Sequence, residues 1–157
     1  MLWIVISPKG LSTPVLTSGR CMAVKSSTCI TRCLNPVLVP FLQEKYPIGG
    51  YVFWPDNASS HYARATLTFL DGHGVNYVAK DLNPTEVPQC RPIEDFFGVL
   101  ANHVYAKNWI GKNTKALKRR IGRCITRIPQ ETVQSTARAV RKRLLRAYIL
   151  GILKVCH

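Results

Sequence analysis

Along the 157 residues, apolar positions recur with two spacings, and the changes between them divide the chain into elements. MLWIVIS is a continuous apolar run and predicts a buried strand, with Pro8-Lys9-Gly10 as the turn after it. PVLTSG (14–19) predicts a second short strand. Over 26–45, Ile30, Leu34, Val37, Leu38 and Leu42 fall on one helical face, with Ser26 or Ser27 as the N-cap. Pro36 and Pro40 predict a kink there or two shorter pieces. Pro47-Ile48-Gly49-Gly50 breaks the chain before a third strand, YVFW. A helix over 60–71 is closed by DGHG, whose glycines suit a C-cap. VNYVA predicts a further strand, and Asp81–Arg91 a polar, proline-bearing loop. Pro92 then opens a helix whose apolar side is Ile93, Phe97, Leu100 and Val104. Two more helices follow, separated by Pro129. Leu117, Ile121, Ile125 and Ile128 mark one, and Val133, Ala137, Val140, Leu144 and Tyr148 the other. The order of strands and helices is that of an α/β chain.

Two acids stand at element ends. Asp56 follows the strand YVFW, and Glu94 lies in the first turn of the helix opened by Pro92. A helix and a strand separate them, enough chain to bring both carboxylates to one cleft. Hard cations such as Mg²⁺ are held by one or two carboxylates together with substrate phosphates. Phosphodiester chemistry commonly uses two such ions, roughly 3.5–4 Å apart. The residues also admit a plainer reading. Asp-Asn after a strand is ordinary turn chemistry, Asp56 or Ser60 can cap the next helix, and the helix dipole favours Glu94 in a first turn. His61, taken alone, reads as a solvent-facing or capping histidine.

Composition and charge narrow the class. With 46% apolar residues and no low-complexity tract, the chain is globular and sized for one domain. No apolar run approaches a membrane span, and no basic residue precedes Lys9 as a signal peptide would require, so an intracellular protein is expected. The six cysteines form no CxxC pair, and free, mostly buried thiols are expected. The net charge of +14 is unevenly spread. Residues 1–106 carry eight basic and seven acidic side chains, whereas 107–157 carry fourteen basic residues and the single acid Glu131. Such a segment repels itself unless a polyanion screens it, and nucleic acid is the commonest such partner.

DNASSH (56–61), DLNP (81–84) and RPIEDFFGVL (91–100) together resemble the catalytic domain of mariner-superfamily (IS630-like) transposases. There, a strand leads into D-N-A-x-x-H, a proline-bearing loop follows, and P-I-E-N-x-W lies on a helix. MLWIVISPKGLSTPVL is similar to that family's second and third strands, CLNPVLVPFLQEKYPIGGYVFWPD to its first helix and next strand, and the basic helices to its C-terminal portion. The resemblance implies an RNase H-like fold, a mixed sheet with flanking helices, over 1–107, with 108–157 as its basic helical C-terminal portion. It also implies an Asp-Asp-Glu or all-Asp triad holding two Mg²⁺ or Mn²⁺ ions, phosphodiester cleavage at transposon ends, strand transfer into target DNA, and a nuclear location. By position, Asp56 matches the second acid and Glu94 the third, with Asn57 and His61 in supporting positions.

The departures from that pattern carry expectations of their own. The family's first aspartate lies on a strand upstream of the segment similar to MLWIVIS, so a chain opening at Met1 is expected to be truncated, without that acid, its strand, or the helix-turn-helix modules. Glu44 is no substitute, because it falls on the helix before YVFW. Phe97 replaces the family's tryptophan, and Pro36 interrupts a helix that is usually continuous. A two-metal site lacking one acid positions its nucleophile poorly, so catalysis is expected to be lost and metal binding weak or absent. The exposed sheet edge invites pairing with another transposase chain.

The basic helices supply the other function. Lys118, Arg119, Arg120, Arg123 and Arg127 lie off the apolar stripe of the first, and Arg138, Arg141, Lys142, Arg143 and Arg146 off that of the second. A solvated face would normally mix signs, and these do not, which favours sequence-independent phosphate contacts over a purely solvated face or a membrane-surface helix. Two readings follow from the sequence. One is a transposase-derived catalytic domain that retains DNA affinity but not catalysis. The other is a non-catalytic nucleic-acid-binding protein that uses only the basic helices.

Overall fold

The computed structural model describes residues 1–17, 24–84 and 90–150. Cys21, Cys156 and the end of the predicted strand from Ser18 lie outside these residues, as does part of the loop before Arg91. The chain divides into two compact units. The first comprises Met1–Trp3 and Gly19–Glu86, and the second Ile4–Ser18 and Val87–His157.

In the second unit, MLWIVIS does not form one strand. Leu2–Trp3 (β1) belongs to the first unit, and the chain resumes extended pairing at Ile6–Ser7 (β2). Between them, the Val5 amide donates to the Ser12 hydroxyl at 2.9 Å instead of to a ladder carbonyl. That side-chain bond replaces a rung that a continuous strand would need. β2 pairs antiparallel with Gly10–Leu11 (β3) through the turn at Pro8-Lys9, in the register Ile6↔Leu11 and Ser7↔Gly10. Gly10 has φ +127°, a conformation that side-chain-bearing residues rarely adopt. Val15–Leu16 (β4) is the short strand expected within PVLTSG.

Helix α4 spans Pro92–Val104 with proline in its first turn, as the sequence predicts. Its buried side is Phe96, Leu100 and Val104, whereas Ile93 and Phe97 are only half-buried. The stripe is therefore displaced by one residue from the predicted one at its start, because 93/97 and 96/100 both satisfy helical spacing and only packing chooses between them. α5 (Thr114–Ile125) is capped by Asn113, whose side chain accepts from the Ala116 amide at 2.9 Å. α6 (Gln130–Leu150) packs on α4 and on the β2–β3 hairpin. Ile4, Cys124, Ile125, Ile128, Val133 and Ala137 join the α4 stripe among the buried residues of this unit. Leu144 and Tyr148, predicted on the apolar side of α6, are 42% and 89% exposed.

In the first unit, the region 26–45 is helical throughout and changes winding in the middle. Ser26–Cys29 (α1) leads into a π-helical segment, Ile30–Leu38, and Val39–Lys45 (α2) completes it. The Val39 amide donates to the Leu34 carbonyl, five residues back. Pro36 has no N–H, and its ring crowds the carbonyl four residues earlier. Wider winding accommodates the proline without the expected break. The N-cap is Lys25 with no side-chain bond, not Ser26 or Ser27. Cys29, Cys33, Leu34, Leu38, Phe41 and Leu42 are buried along this helix. All four described cysteines, Cys29, Cys33, Cys90 and Cys124, are free and buried, as expected.

α3 runs from Arg64 to Gly72, and its N-cap is Ala63 with no side-chain bond, so neither Asp56 nor Ser60 caps it. Its end does use DGHG. Val75 N–H donates to Leu70 O and Gly74 N–H to Asp71 O, both at 3.0 Å, with Gly74 at φ +63°. These are the two bonds of a Schellman ending. The predicted strands YVFW and VNYVA reduce to a single parallel bridge, Phe53↔Tyr77. Phe53 N–H donates to Asn76 O at 2.7 Å, and Val78 N–H to Phe53 O at 2.9 Å. Pro55, two residues on, cannot donate to a ladder, which limits the pairing.

Candidate functional site

Asp56 directly follows the Phe53 bridge and the buried Pro55. Its Oδ1 accepts from the Ala58 amide at 2.9 Å, so the turn chemistry anticipated for Asp-Asn is present. The same oxygen lies 2.7 Å from Nδ1 of His61. The carboxylate is nonetheless 61% exposed, while the His61 side chain is only 9% exposed. His61 is therefore not solvent-facing, and it caps no helix. Burial, the strongest single influence on it, lowers its pKa. The hydrogen bond to Asp56 and the charge of that carboxylate, with Cys29 adding, outweigh burial and raise the pKa to about 10. A protonated imidazole then donates to Asp56 and fixes the direction of the carboxylate.

Behind this pair lies a group that the sequence did not single out. Asn83 of DLNP is buried, 3% exposed. Its Nδ2 donates to the Pro55 carbonyl at 2.9 Å and to the Tyr62 hydroxyl, and its Oδ1 accepts from the Trp54 indole at 2.8 Å. Tyr62 in turn donates to the Val78 carbonyl at 3.1 Å. Asn57, the other motif residue, donates from Nδ2 to the Pro84 carbonyl at 3.3 Å. Only the position of Asn83 in a quoted motif marked it beforehand, since an asparagine before proline fits any polar loop.

Glu94 belongs to the second unit, is exposed, and sits with Asp95 in the first turn of α4. Asp56 and Glu94 both offer carboxylate oxygens, the donor chemistry that a hard divalent cation requires. Among the described residues there is no group of three His, Cys, Asp or Glu side chains placed to hold a metal ion. The donor type fits such an ion, and the donors brought together in these residues do not make a complete protein-only site.

The basic residues divide by what they touch. Arg120 donates from Nε to the Val104 carbonyl and from Nη2 to the His103 carbonyl, both at 3.2 Å, and lies 5.5 Å from the centre of the Trp109 ring. It thus closes the C-terminus of α4. Arg143 pairs with Asp95 at 2.5 Å. Lys118 is half-buried. Arg119, Arg123 and Arg127 are exposed and recur every fourth residue on and just after α5, and Arg138, Lys142 and Arg146 do the same on α6 with Arg141 beside them. Like charges at this spacing repel. Among the described residues, no helix is long and apolar enough to cross a membrane.

No protein-family model matches the sequence. The Tc3 transposable-element transposase of Caenorhabditis elegans is 29% identical over 120 residues, 76% of this chain and 35% of that protein. The chain thus spans about a third of the length of this relative. The Mos1 transposase catalytic domain solved with raltegravir and Mg superposes with a TM-score of 0.77 at 18% identity, over 96% of this chain and 74% of that one. The form solved with raltegravir and Mn gives 0.73 at 15% identity, over 97% and 80%. The fold is therefore the RNase H-like fold of the Mos1 transposase catalytic domain, with few strands among the described residues. In sequence and in fold, the chain is similar to the mariner/Tc1 transposases, which bears out the resemblance carried by DNASSH, DLNP and PIED.

Proposed function

We propose that this chain is the metal- and DNA-binding part of a DDE transposase catalytic domain, with Asp56 and Glu94 as two of the acids of a divalent-metal site and DNA as its partner. The observation that carries the reading is the exposed Asp56 carboxylate at the end of the Phe53 segment, oriented by His61, in a chain with the Mos1 catalytic fold. Asp56 lies in the first unit and Glu94 in the second. The bound ions would be Mg²⁺ or Mn²⁺, the metals with which the two Mos1 structures were solved. Such ions act as Lewis acids on a phosphodiester. The chain's own residues supply oxygen ligands, hold Asp56 in direction through His61, and neutralise DNA phosphates through Arg119, Arg123, Arg127, Arg138, Arg141, Lys142 and Arg146. Lys118 stands with these cations, while Arg120 and Arg143 are also engaged with the His103 and Val104 carbonyls and with Asp95. The nuclear location and the pairing with a second transposase chain follow from the same reading.

We infer further that these 157 residues do not cleave DNA by themselves. Two acids in motif positions, one fewer than the triad that the resemblance implies, support this. Incubating the purified chain with supercoiled plasmid and Mn²⁺ tests it. Retention of DNA without nicking is expected, and nicking abolished by Asp56→Asn would overturn the inference.

The exposed cations also favour a second reading, a nucleic-acid-binding protein in which Asp56 and Glu94 have no role. Divalent-metal binding that is unchanged in Asp56→Ala, with full DNA affinity, would select it.

A further inference from the structure

Asp56 is the residue on which the proposed metal site turns, and the chain on both sides of it is tied to one short segment. On its N-terminal side, the Pro55 carbonyl accepts from Asn83 at 2.9 Å. On its C-terminal side, Asn57 donates to the carbonyl of Pro84, the residue after Asn83, at 3.3 Å. Asn83 has two amide N–H groups and a carbonyl oxygen. The two N–H groups go to the Pro55 carbonyl and the Tyr62 hydroxyl, and the oxygen takes the Trp54 indole N–H. Tyr62, which neighbours His61, continues to the Val78 carbonyl, and Val78 N–H returns to Phe53 O. One buried amide thus joins the strand segment before Asp56, the turn that carries His61, and the parallel bridge.

Position 83 has a demanding chemistry. Replacing this buried amide takes a bond from several groups at once, here the Trp54 N–H, the Pro55 carbonyl and the Tyr62 hydroxyl. Aspartate at 83 would present an oxygen to the Pro55 carbonyl in place of a donor, and an apolar residue would satisfy none of the three. The ties of this segment to the chain around Asp56 run through the Pro55 carbonyl and the Asn57 side chain.

We propose that Asn83 is a positioning residue for the Asp56 carboxylate, holding residues 55–57 in the conformation in which Asp56 can take a metal ion. This rests on the reading of Asp56 as a metal ligand. Outer-shell partners of metal ligands typically change affinity by about ten- to a hundredfold when removed.

Amide ¹⁵N relaxation of the metal-free chain, followed by Mn²⁺ titration read from the broadening of the Asn57 and Ala58 signals, tests the proposal. The variants are Asn83→Ala, the milder Tyr62→Phe, and Leu70→Ala, which weakens the same unit from its buried core and touches none of these bonds. Lower order parameters at Asn57 and Ala58 in Asn83→Ala, a smaller drop in Tyr62→Phe and no drop in Leu70→Ala are expected. Mn²⁺ affinity should fall about tenfold in Asn83→Ala and less than twofold in Leu70→Ala. Should Asn83→Ala fail to fold, Tyr62→Phe against Leu70→Ala decides by the same criteria. Order parameters unchanged in the Asn83 and Tyr62 variants, or lowered equally in Leu70→Ala, would overturn the positioning role. Wild-type broadening that persists in Asp56→Asn would instead overturn the metal reading, and the metal-free relaxation would still decide the role of Asn83.

Discussion

Stability should fall as pH rises between about 6.5 and 10, and the fall should depend on Asp56. His61 is buried and 2.7 Å from Asp56, and its folded-state pKa is raised from 6.5 to about 10. A histidine whose pKa is higher folded than unfolded stabilises the fold fully below the unfolded value, and the stabilisation is lost as pH climbs through the folded one. The full displacement would correspond to roughly 5 kcal/mol at ~1.4 kcal/mol per pH unit. Asp56 is 61% exposed, and solvent screening reduces the contribution to on the order of 1–2 kcal/mol. For a chain of this size, that is a Tm change of about 3–6 °C. The Cys33 thiol, pushed up to about 11 by burial, with Cys29 adding and Arg32 opposing, also lowers stability above pH 9. Asp56→Asn shares that loss, so the wild-type minus variant difference isolates the pair. Thermal melts followed by circular dichroism at pH 6, 7, 8, 9 and 10 should give a difference largest at pH 6 and vanishing by pH 10. A difference that is constant, or that grows with pH, would refute the reasoning.

Three further outcomes follow from the packing and the charge. Phe96 is 1% exposed on α4, and Phe96→Ala should cost about 3–5 kcal/mol in urea unfolding, against less than ~1 kcal/mol for the half-buried Phe97→Leu. Arg120→Ala removes the bonds to the His103 and Val104 carbonyls and the contact with Trp109, and should destabilise by about 1–2 kcal/mol, visible as a changed Trp109 fluorescence. DNA affinity measured from 50 to 300 mM salt should give a log–log slope of roughly −3 to −6, and Arg119→Gln/Arg123→Gln should reduce its magnitude by about 2, whereas a slope near zero would remove DNA as a partner of these helices.

How far the sequence led can be seen at particular residues. The helices of the second unit were legible because their apolar spacing is a local property, with Pro92 in the first turn that the structure shows. Which side of α4 is buried was not legible, since Phe96 and Phe97 are chemically equivalent until the neighbouring helices choose. The region around Pro36 was misjudged because a missing N–H can be absorbed by wider winding as well as by a break. Strands were the weakest expectation. YVFW and VNYVA contribute one bridge, since pairing depends on partners distant in sequence and on the donor that Pro55 lacks. Asp56 and Glu94 were singled out through motif spacing. The bonds that hold Asp56, to His61 and through Asn83, depend on which buried atoms meet, and spacing does not encode that.

A Mn²⁺ titration of the ¹⁵N-labelled chain tests the central claim most directly, with the amides beside Asp56 and those beside Glu94 followed in the same spectra. If Asp56 and Glu94 are metal ligands, both sets broaden, Asp56→Asn abolishes the broadening beside residue 56, and Glu94→Gln abolishes that beside residue 94. Broadening at only one of the two positions, or broadening beside either acid that survives that acid's own substitution, would contradict the account.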